Sequence, residues 1–403
     1  MTYTKTKLLL VEDCSSMRLV LQHWLKSYCD EILIATDGQE ALTIFHEHPD
    51  INLVLTDWIM PKIDGLQLCQ LIRQTELSHY VYVIVLTGKD ERESSLVQGL
   101  NAGADDFLFK PIDPNKLRIR LQMAFRILGL EQTLAERNQK LFHTYEQIRQ
   151  DLVLASVMQK NLLPAKGKRD EILFDWIFYP SHFIAGDIFN YFELTDDYLA
   201  FYHLDVAGHG VRSALLSFTL HQYITNKGGQ TNFLSYKDEQ GIDQPVPPEQ
   251  VVTSLNQRFS DTGDLYFTMV YGYLHKATGV VEFTQAGHPC PILLRTKQHQ
   301  AQFCGGSGFP VAMFPLAEYE RLHLQLTEGD RLFIYSDGIT ECLNAVQQSY
   351  TEQRLLSLLQ NTADQALEQT LQTLCSELFD WQGSGQFEDD MTLLAIEYHK
   401  KHE

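Results

Sequence analysis

Lys7-Leu8-Leu9-Leu10-Val11-Glu12-Asp13 is an almost unbroken apolar run that stops on two carboxylates, and Ile51-Asn52-Leu53-Val54-Leu55-Thr56-Asp57 repeats the design. An apolar run without alternation is buried on both faces, as strands are in a parallel sheet covered by helices on either side. Outward from these two, strand-like runs recur at residues 31–35, 81–86 and 107–109, and helix-period segments lie between them at 15–26, 38–45, 65–73 and 93–102. Five strands alternating with helices predict a doubly wound α/β domain over residues 1–125, with its functional groups at the carboxyl ends of the strands.

Those ends carry Glu12-Asp13, Asp57, Thr87 and Lys110-Pro111. Converging carboxylates repel one another unless a hard divalent cation lies between them, and Mg2+ prefers a few carboxylates plus water and a phosphoryl oxygen. A lysine beside them pairs with phosphoryl oxygen as a point charge, and a threonine hydroxyl supplies a hydrogen bond. With Asp57-Trp58-Ile59-Met60-Pro61 and Gly65, this constellation resembles the receiver domain of bacterial two-component response regulators over residues 5–125. The resemblance implies a sheet order of 2-1-3-4-5 and phosphorylation of Asp57 by a sensor histidine kinase. It also implies Mg2+ held by Asp13, Asp57 and the backbone carbonyl of Ile59, with Glu12 acting through water. Lys110 then faces the phosphoryl group, and Thr87 and Phe107 take the positions of the family's switch pair.

From Pro114 a helical pattern runs to about residue 163 without a proline. Leu134, Leu141, Ile148, Ala155 and Leu162 fall seven apart, and Asn138, Tyr145 and Leu152 fill the seam between them. Such a heptad suits a parallel dimeric coiled coil, so residues 126–163 read as a linker that makes a homodimer; the alternative is a single helix packed on its own domain. Beyond Leu163-Pro164, short strands at 173–179, 198–206, 268–275, 280–286, 292–295, 331–335 and 392–398 mix with helices at 211–225, 248–259, 350–359 and 363–379. This texture predicts an α+β domain of stacked sheets flanked by helices over residues 164–403. The stretch 227–247, rich in Gly, Gln, Asp and Pro, reads as a surface loop.

The second domain carries four Asp-containing turns: Ala185-Gly186-Asp187, Leu204-Asp205-Val206-Ala207-Gly208-His209-Gly210, Tyr335-Ser336-Asp337-Gly338 and Glu388-Asp389-Asp390-Met391-Thr392. Glycine beside the first three permits close approach of an ion. Carboxylates without cysteine partners suit Mg2+ or Mn2+ rather than zinc, and two such ions can activate water and clamp a phosphoryl group for in-line attack. Together with Met158-Gln159-Lys160-Asn161-Leu162-Leu163-Pro164, Ala286-Gly287-His288-Pro289 and Gly308-Phe309-Pro310, the pattern resembles the metal-dependent PPM (PP2C-type) protein serine/threonine phosphatases, in particular their SpoIIE/RsbU-like branch. The resemblance implies two Mn2+ or Mg2+ ions held by Asp187, Asp205, the Val206 carbonyl, Asp337 and Asp389, and leaves Asp390 outside the ligand set. It further implies a phosphorylated anti-sigma-factor antagonist of the STAS type as substrate. Asn190 departs from the branch, which carries aspartate there. His209 is a candidate general acid, although it lies two residues beyond the position of the acid in eukaryotic relatives. His288 reads as a turn residue rather than a ligand.

Composition narrows the classes that remain. Asp plus Glu number 52 against 32 Lys plus Arg, a net charge of -20, which disfavours nucleic acid and anionic membranes as partners. No helix-turn-helix pattern supports a DNA-binding regulator. Apolar stretches such as residues 81–86 fall far short of the ~20 needed to span a bilayer, so the chain reads as soluble and cytoplasmic. The cysteines at 14, 29, 69, 290, 304, 342 and 375 are odd in number and contain no C-x-x-C pair, so neither a disulfide framework nor a zinc site is expected. The leading expectation is a receiver-controlled phosphoprotein phosphatase; its rival is a non-catalytic adaptor that binds its partner under control of Asp57.

Overall fold

The structure, a computed structural model, describes residues 6–88, 100–225, 233–260, 265–306, 308–383 and 387–400. Two compact units divide the chain, Met1–Gln147 and Ile148–Glu403.

In the first unit, β1 (Lys7–Val11), β2 (Glu31–Ala35), β3 (Leu53–Asp57), β4 (Tyr82–Thr87) and β5 (Asp106–Phe109) form one parallel sheet in the order β2-β1-β3-β4-β5. The unbroken apolar runs have a direct cause. Leu8, Leu10, Leu53 and Leu55 enter one core with Leu21 and Leu25 of α1 (Ser15–Leu25) and Leu117 and Leu121 of α4 (Pro114–Leu162). Leu9, Val11 and Val54 enter the opposite core with Phe45 of α2 (Gly38–Glu47) and Leu68 and Ile72 of α3 (Gly65–Gln74). Each such leucine contributes about 1.5–3 kcal/mol by leaving water. Asp64 and Gln67 close a capping box on α3, which fixes the start of that helix just beyond Asp57. Most of the helix expected over 93–102 lies outside the described residues; Leu100 and Asn101 are helical.

The second unit is a sandwich of two antiparallel sheets. Its strands are β6 (Gly167–Arg169), β7 (Ile172–Tyr179), β8 (Ile188–Glu193), β9 (Tyr198–Val206), β10 (Ser235–Lys237), β11 (Asp243–Pro245), β12 (Phe267–His275), β13 (Val280–Ala286), β14 (Ile292–Arg295), β15 (Gln300–Phe303), β16 (Leu322–Gln325), β17 (Arg331–Tyr335) and β18 (Met391–Tyr398). One sheet runs β16-β13-β12-β9-β8 and the other β15-β14-β17-β18-β7-β6. Between them Phe174, Phe189, Tyr191, Phe201, Phe283 and Ile396 build an aromatic-rich core, in which the rings of Phe174 and Tyr191 stack at 3.7 Å. The outer faces are covered by α5 (Val211–Thr225) and α6 (Pro248–Phe259) on the first sheet, and by α8 (Glu352–Asn361) and α9 (Leu367–Gln382) on the second. The short α7 (Asp337–Thr340) follows β17.

Residues 227–247 correct the sequence reading in part. Within the described portion, β10 and β11 pair as an antiparallel hairpin, because the Asp238 carboxylate accepts the N–H groups of Gln240 and Ile242 and Gly241 turns the chain at φ +80°. Residues 227–232 lie outside the described set. Along α4, Leu134, Leu141, Tyr145 and Ile148 are exposed on the monomer, whereas Leu162 packs against the core beneath α5 and α6. No helix among the described residues is long and apolar enough to cross a membrane.

Candidate functional site

The parallel register of β1, β3, β4 and β5 delivers Glu12, Asp57, Thr87 and Lys110 to the same edge of the first sheet. Oxygens of Glu12, Asp13 and Asp57 lie within 4.8 Å of one another. Lys110 Nζ bridges the cluster, donating to Asp57 Oδ2 at 2.7 Å and to Glu12 Oε2 at 3.1 Å. Glu12 is wholly buried, and that burial, reinforced by the Asp57 charge, raises its pKa; Lys110 opposes the rise. The lysine itself is raised: burial works against its charge, but the two carboxylates outweigh it. Gly65 belongs to the geometry too, because a Cβ there would stand 2.2 Å from the Asp57 carbonyl oxygen. Thr87 is buried, Phe107 is buried with its ring 6.4 Å from that of Trp58, and the Ile59 side chain points into solvent.

In the second unit the aspartates arrive from four separate elements: Asp187 just before β8, Asp205 near the end of β9, Asp337 at the start of α7 and Asp389 just before β18. Asp187 is fully buried, and burial together with the charges of Asp205 and Asp390 pushes its pKa well up. Burial and Asp337 push Asp205 to about 7, and burial and Asp389 push Asp337 to about 6. Desolvation and Asp390 raise Asp389, with His209 and His182 pulling the other way. Among the described residues none of the four forms an ion pair with Lys or Arg. Their oxygens are gathered less tightly than those of the first unit, where alone among the described residues three carboxylates approach within 4.8 Å. A partly buried cluster of acidic oxygens without a Lys or Arg partner among the described residues is the donor set that a hard divalent ion satisfies, so these residues fit such an ion.

Neighbouring groups fix the backbone of this cluster. The Asp390 carboxylate accepts from Gly186 N at 2.7 Å, Ser181 N at 2.8 Å and Ser181 Oγ at 3.0 Å, so its oxygens hold the Asp187 loop in place. A Cβ on Gly186 would lie 3.0 Å from the carbonyl oxygen of Val206, which places that carbonyl against the same loop. Gly208 and Gly210, both at φ +86°, turn the chain from β9 into α5. The Asn190 side-chain oxygen accepts from Tyr191 N at 2.8 Å.

A family model for Stage II sporulation protein E (SpoIIE) matches residues 195–399, half of the chain. The chain belongs to the SpoIIE family. A response regulator receiver domain model matches residues 8–122, so a receiver precedes the SpoIIE domain. The SpoIIE match begins downstream of Asp187. Among curated relatives, a probable transcriptional regulator ycf27 of Cyanophora paradoxa is 39% identical over 127 residues, 31% of this chain and 51% of that protein. The phosphoserine phosphatase RsbP of Bacillus subtilis is 26% identical over 199 residues, 48% of this chain and 46% of RsbP. The chain thus spans about half the length of the curated relatives it matches. The SiaA-PP2C domain of Pseudomonas aeruginosa shares the fold at a TM-score of 0.53 and 17% identity, covering 63% of this chain and 98% of that domain.

Three features of the SpoIIE unit escape sequence reading. His182 stacks on His209 with ring centroids 4.7 Å apart and planes 5° from parallel, and no pattern around His182 signals it. Gln159, wholly buried on the last turn of α4, pairs its amide with the backbone of Ala185, donating to the carbonyl and accepting from the N–H, each at 2.9 Å. His288 is buried in the turn after β13 and bonds its Nδ1 to Thr268 Oγ1 of β12 at 2.7 Å, a partner that the sequence around it does not reveal.

Proposed function

We propose that this chain is a response regulator whose output is hydrolysis of phosphoserine or phosphothreonine on a protein, controlled by phosphoryl transfer to Asp57 from a sensor histidine kinase. The observation that carries the reading is the convergence of four carboxylates with no Lys or Arg partner among the described residues: Asp187 buried, Asp205 and Asp337 half-buried, and Asp389 at the exposed rim. In this reading those four, with the Val206 carbonyl, hold two Mn2+ or Mg2+ ions. Bound there, the ions supply a hydroxide nucleophile near neutral pH and neutralise phosphoryl charge. The chain's own part is positional: Thr392 donates a hydrogen bond to Asp187, and Asp390 fixes the Gly186 backbone. His209, exposed and stacked on His182 beside Asp389, is placed to protonate the departing serine oxygen.

In the receiver, Asp13, Asp57 and the Ile59 carbonyl hold Mg2+, Glu12 acts through water, and Lys110 moves from its present carboxylate partners to the phosphoryl oxygens. Thr87 and Phe107 relay the change. Within the second unit, Gln159 ties the end of α4 to Ala185, two residues before Asp187, so a shift of α4 acts directly on a metal ligand. The substrate is a small phosphorylated STAS-type antagonist of an anti-sigma factor, met in the cytoplasm by a homodimer joined through residues 126–163. The rival adaptor reading draws on Asn190, which supplies an amide where the branch carries a carboxylate.

Mn2+-dependent phosphate release from a phosphoserine peptide tests the assignment. Wild type releases phosphate, Asp337→Asn does not, and a small phosphodonor alters the wild-type rate but not that of Asp57→Ala. Release that is absent from folded wild type establishes the adaptor instead.

A further inference from the structure

We propose that His203 and His288 form a buried imidazole pair that positions Asp187, by holding the Thr392 hydroxyl in the orientation that presents the Asp187 carboxylate to a metal ion. The role rests on the metal reading above for its purpose, and on hydrogen-bond accounting for its geometry.

The Thr392 hydroxyl has one proton and three neighbours: Asp187 Oδ2, His203 Nε2 at 2.9 Å and Ser336 Oγ at 3.1 Å. Ser336 is already engaged, since its hydroxyl donates to the Asp390 carbonyl at 2.9 Å and its oxygen accepts Thr392 N–H at 3.1 Å. Once Asp187 is ionised, as it must be to hold a metal ion, its carboxylate can only accept, so Thr392 gives its proton to Asp187. His203 must then donate to Thr392 from Nε2, which makes it the Nε2–H tautomer and leaves Nδ1 as an acceptor. That Nδ1 is buried and has no partner.

The adjacent ring supplies what Nδ1 lacks. His288 lies with its centroid 4.8 Å from that of His203, and its Nε2 is likewise buried and unpartnered. The Thr268 hydroxyl engages His288 Nδ1, and when it donates there the imidazole hydrogen resides on Nε2. Two orphaned atoms on neighbouring rings are therefore complementary, one donor and one acceptor, and a small reorientation joins them. The resulting relay runs Thr268, His288, His203, Thr392, Asp187, and links β12, β9 and β18 behind the aspartates. Both rings are buried, and the side-chain groups that they hydrogen-bond among the described residues are hydroxyls, Thr392 for His203 and Thr268 for His288. Phe189 stacks on His203 at 5.7 Å and fixes its plane. Groups that orient a ligand commonly govern metal affinity by roughly 10–100-fold.

The test uses the full chain carrying Asp13→Asn and Asp57→Asn, so that the receiver cluster does not contribute to Mn2+ binding. His203→Phe keeps ring volume and stacking but removes the donor; His203→Gln restores an amide N–H. Mn2+ affinity, read by the paramagnetic signal of the free ion, falls roughly 10–100-fold in His203→Phe and largely recovers in His203→Gln. Nitrogen-15 spectra of the metal-free protein at alkaline pH, where Asp187 is ionised, show Nε2–H on both histidines. Unchanged affinity in folded His203→Phe, or Nδ1–H on His203, overturns the proposal. Should the parent bind no more Mn2+ than its Asp205→Asn derivative, the metal reading itself fails and the pair loses its purpose. The tautomers, read without metal, judge the relay separately.

Discussion

At Gly338, an added Cβ would stand 2.2 Å from the carbonyl oxygen of Asp390, closer than any side chain tolerates. The start of α7 and the approach to β18 are thus pressed backbone to backbone, and Asp337 and Asp389 owe their proximity to the missing methyl. Gly338→Ala forces the two segments apart. The expected cost is about 1–3 kcal/mol in thermal unfolding, with weaker Mn2+ binding, a cost comparable to overpacking a tight core. A variant with wild-type melting and wild-type affinity contradicts this account. Residues of this kind were legible, since a glycine beside an aspartate in a strand-end turn carries its meaning locally. The contact of Thr392 with His203 was not, because the two are 189 positions apart and neither has a distinctive neighbourhood. Asp390 was legible only by exclusion: its neighbour Asp389 was preferred as a ligand, but nothing in the sequence places Ser181 and Gly186 against it.

Among the elements, β18 was plain to read because both of its faces are buried, so six of its eight residues are apolar. The edge strands β15 and β16 alternate between half-buried and exposed positions, and Gln300, Gln302, His323 and Gln325 hide them among polar loops. Helix α4 sits between these cases. Its length and heptads were legible, yet the exposed Leu134, Leu141, Tyr145 and Ile148 find no cover within the monomer. A parallel partner helix would bury that seam. Sedimentation equilibrium of wild type is expected to give a dimer, and Leu141→Lys, which places a charge in the seam, a monomer. A wild-type monomer at micromolar concentration eliminates the coiled coil.

On the scale of the whole molecule, the half-buried Asp205 and Asp337 set how stability responds to pH. A folded carboxyl that holds its proton more tightly than an unfolded one, at about 3.9, makes the native state bind more protons, so stability falls as pH rises between the two values. With Asp205 raised to about 7 and Asp337 to about 6, the metal-free protein is expected to lose melting temperature from pH 5 to pH 7. Saturating Mn2+ then restores more at pH 8 than at pH 5, and Asp205→Asn flattens the metal-free slope. Melting curves in chelator and in Mn2+ across that range decide it; a slope unchanged by Asp205→Asn refutes the assignment.

The position of β18 between β17 and β7 bears on how this protein is made. Its pairing with β7 joins Met391 to Tyr179, more than half the chain away, and Asp390 beside it clasps Ser181 and Gly186. A growing chain therefore holds Asp187 and Asp205, neighbours through β8 and β9, before it has the strand that pairs with β17, the strand leading into Asp337. Until Tyr398 has left the ribosome, the sheet that holds β17, β18 and β7 stays incomplete, and the nascent second unit exposes the core that this sheet would cover. The receiver, complete far earlier and built from neighbouring βα segments, is free to fold while its partner is still being translated.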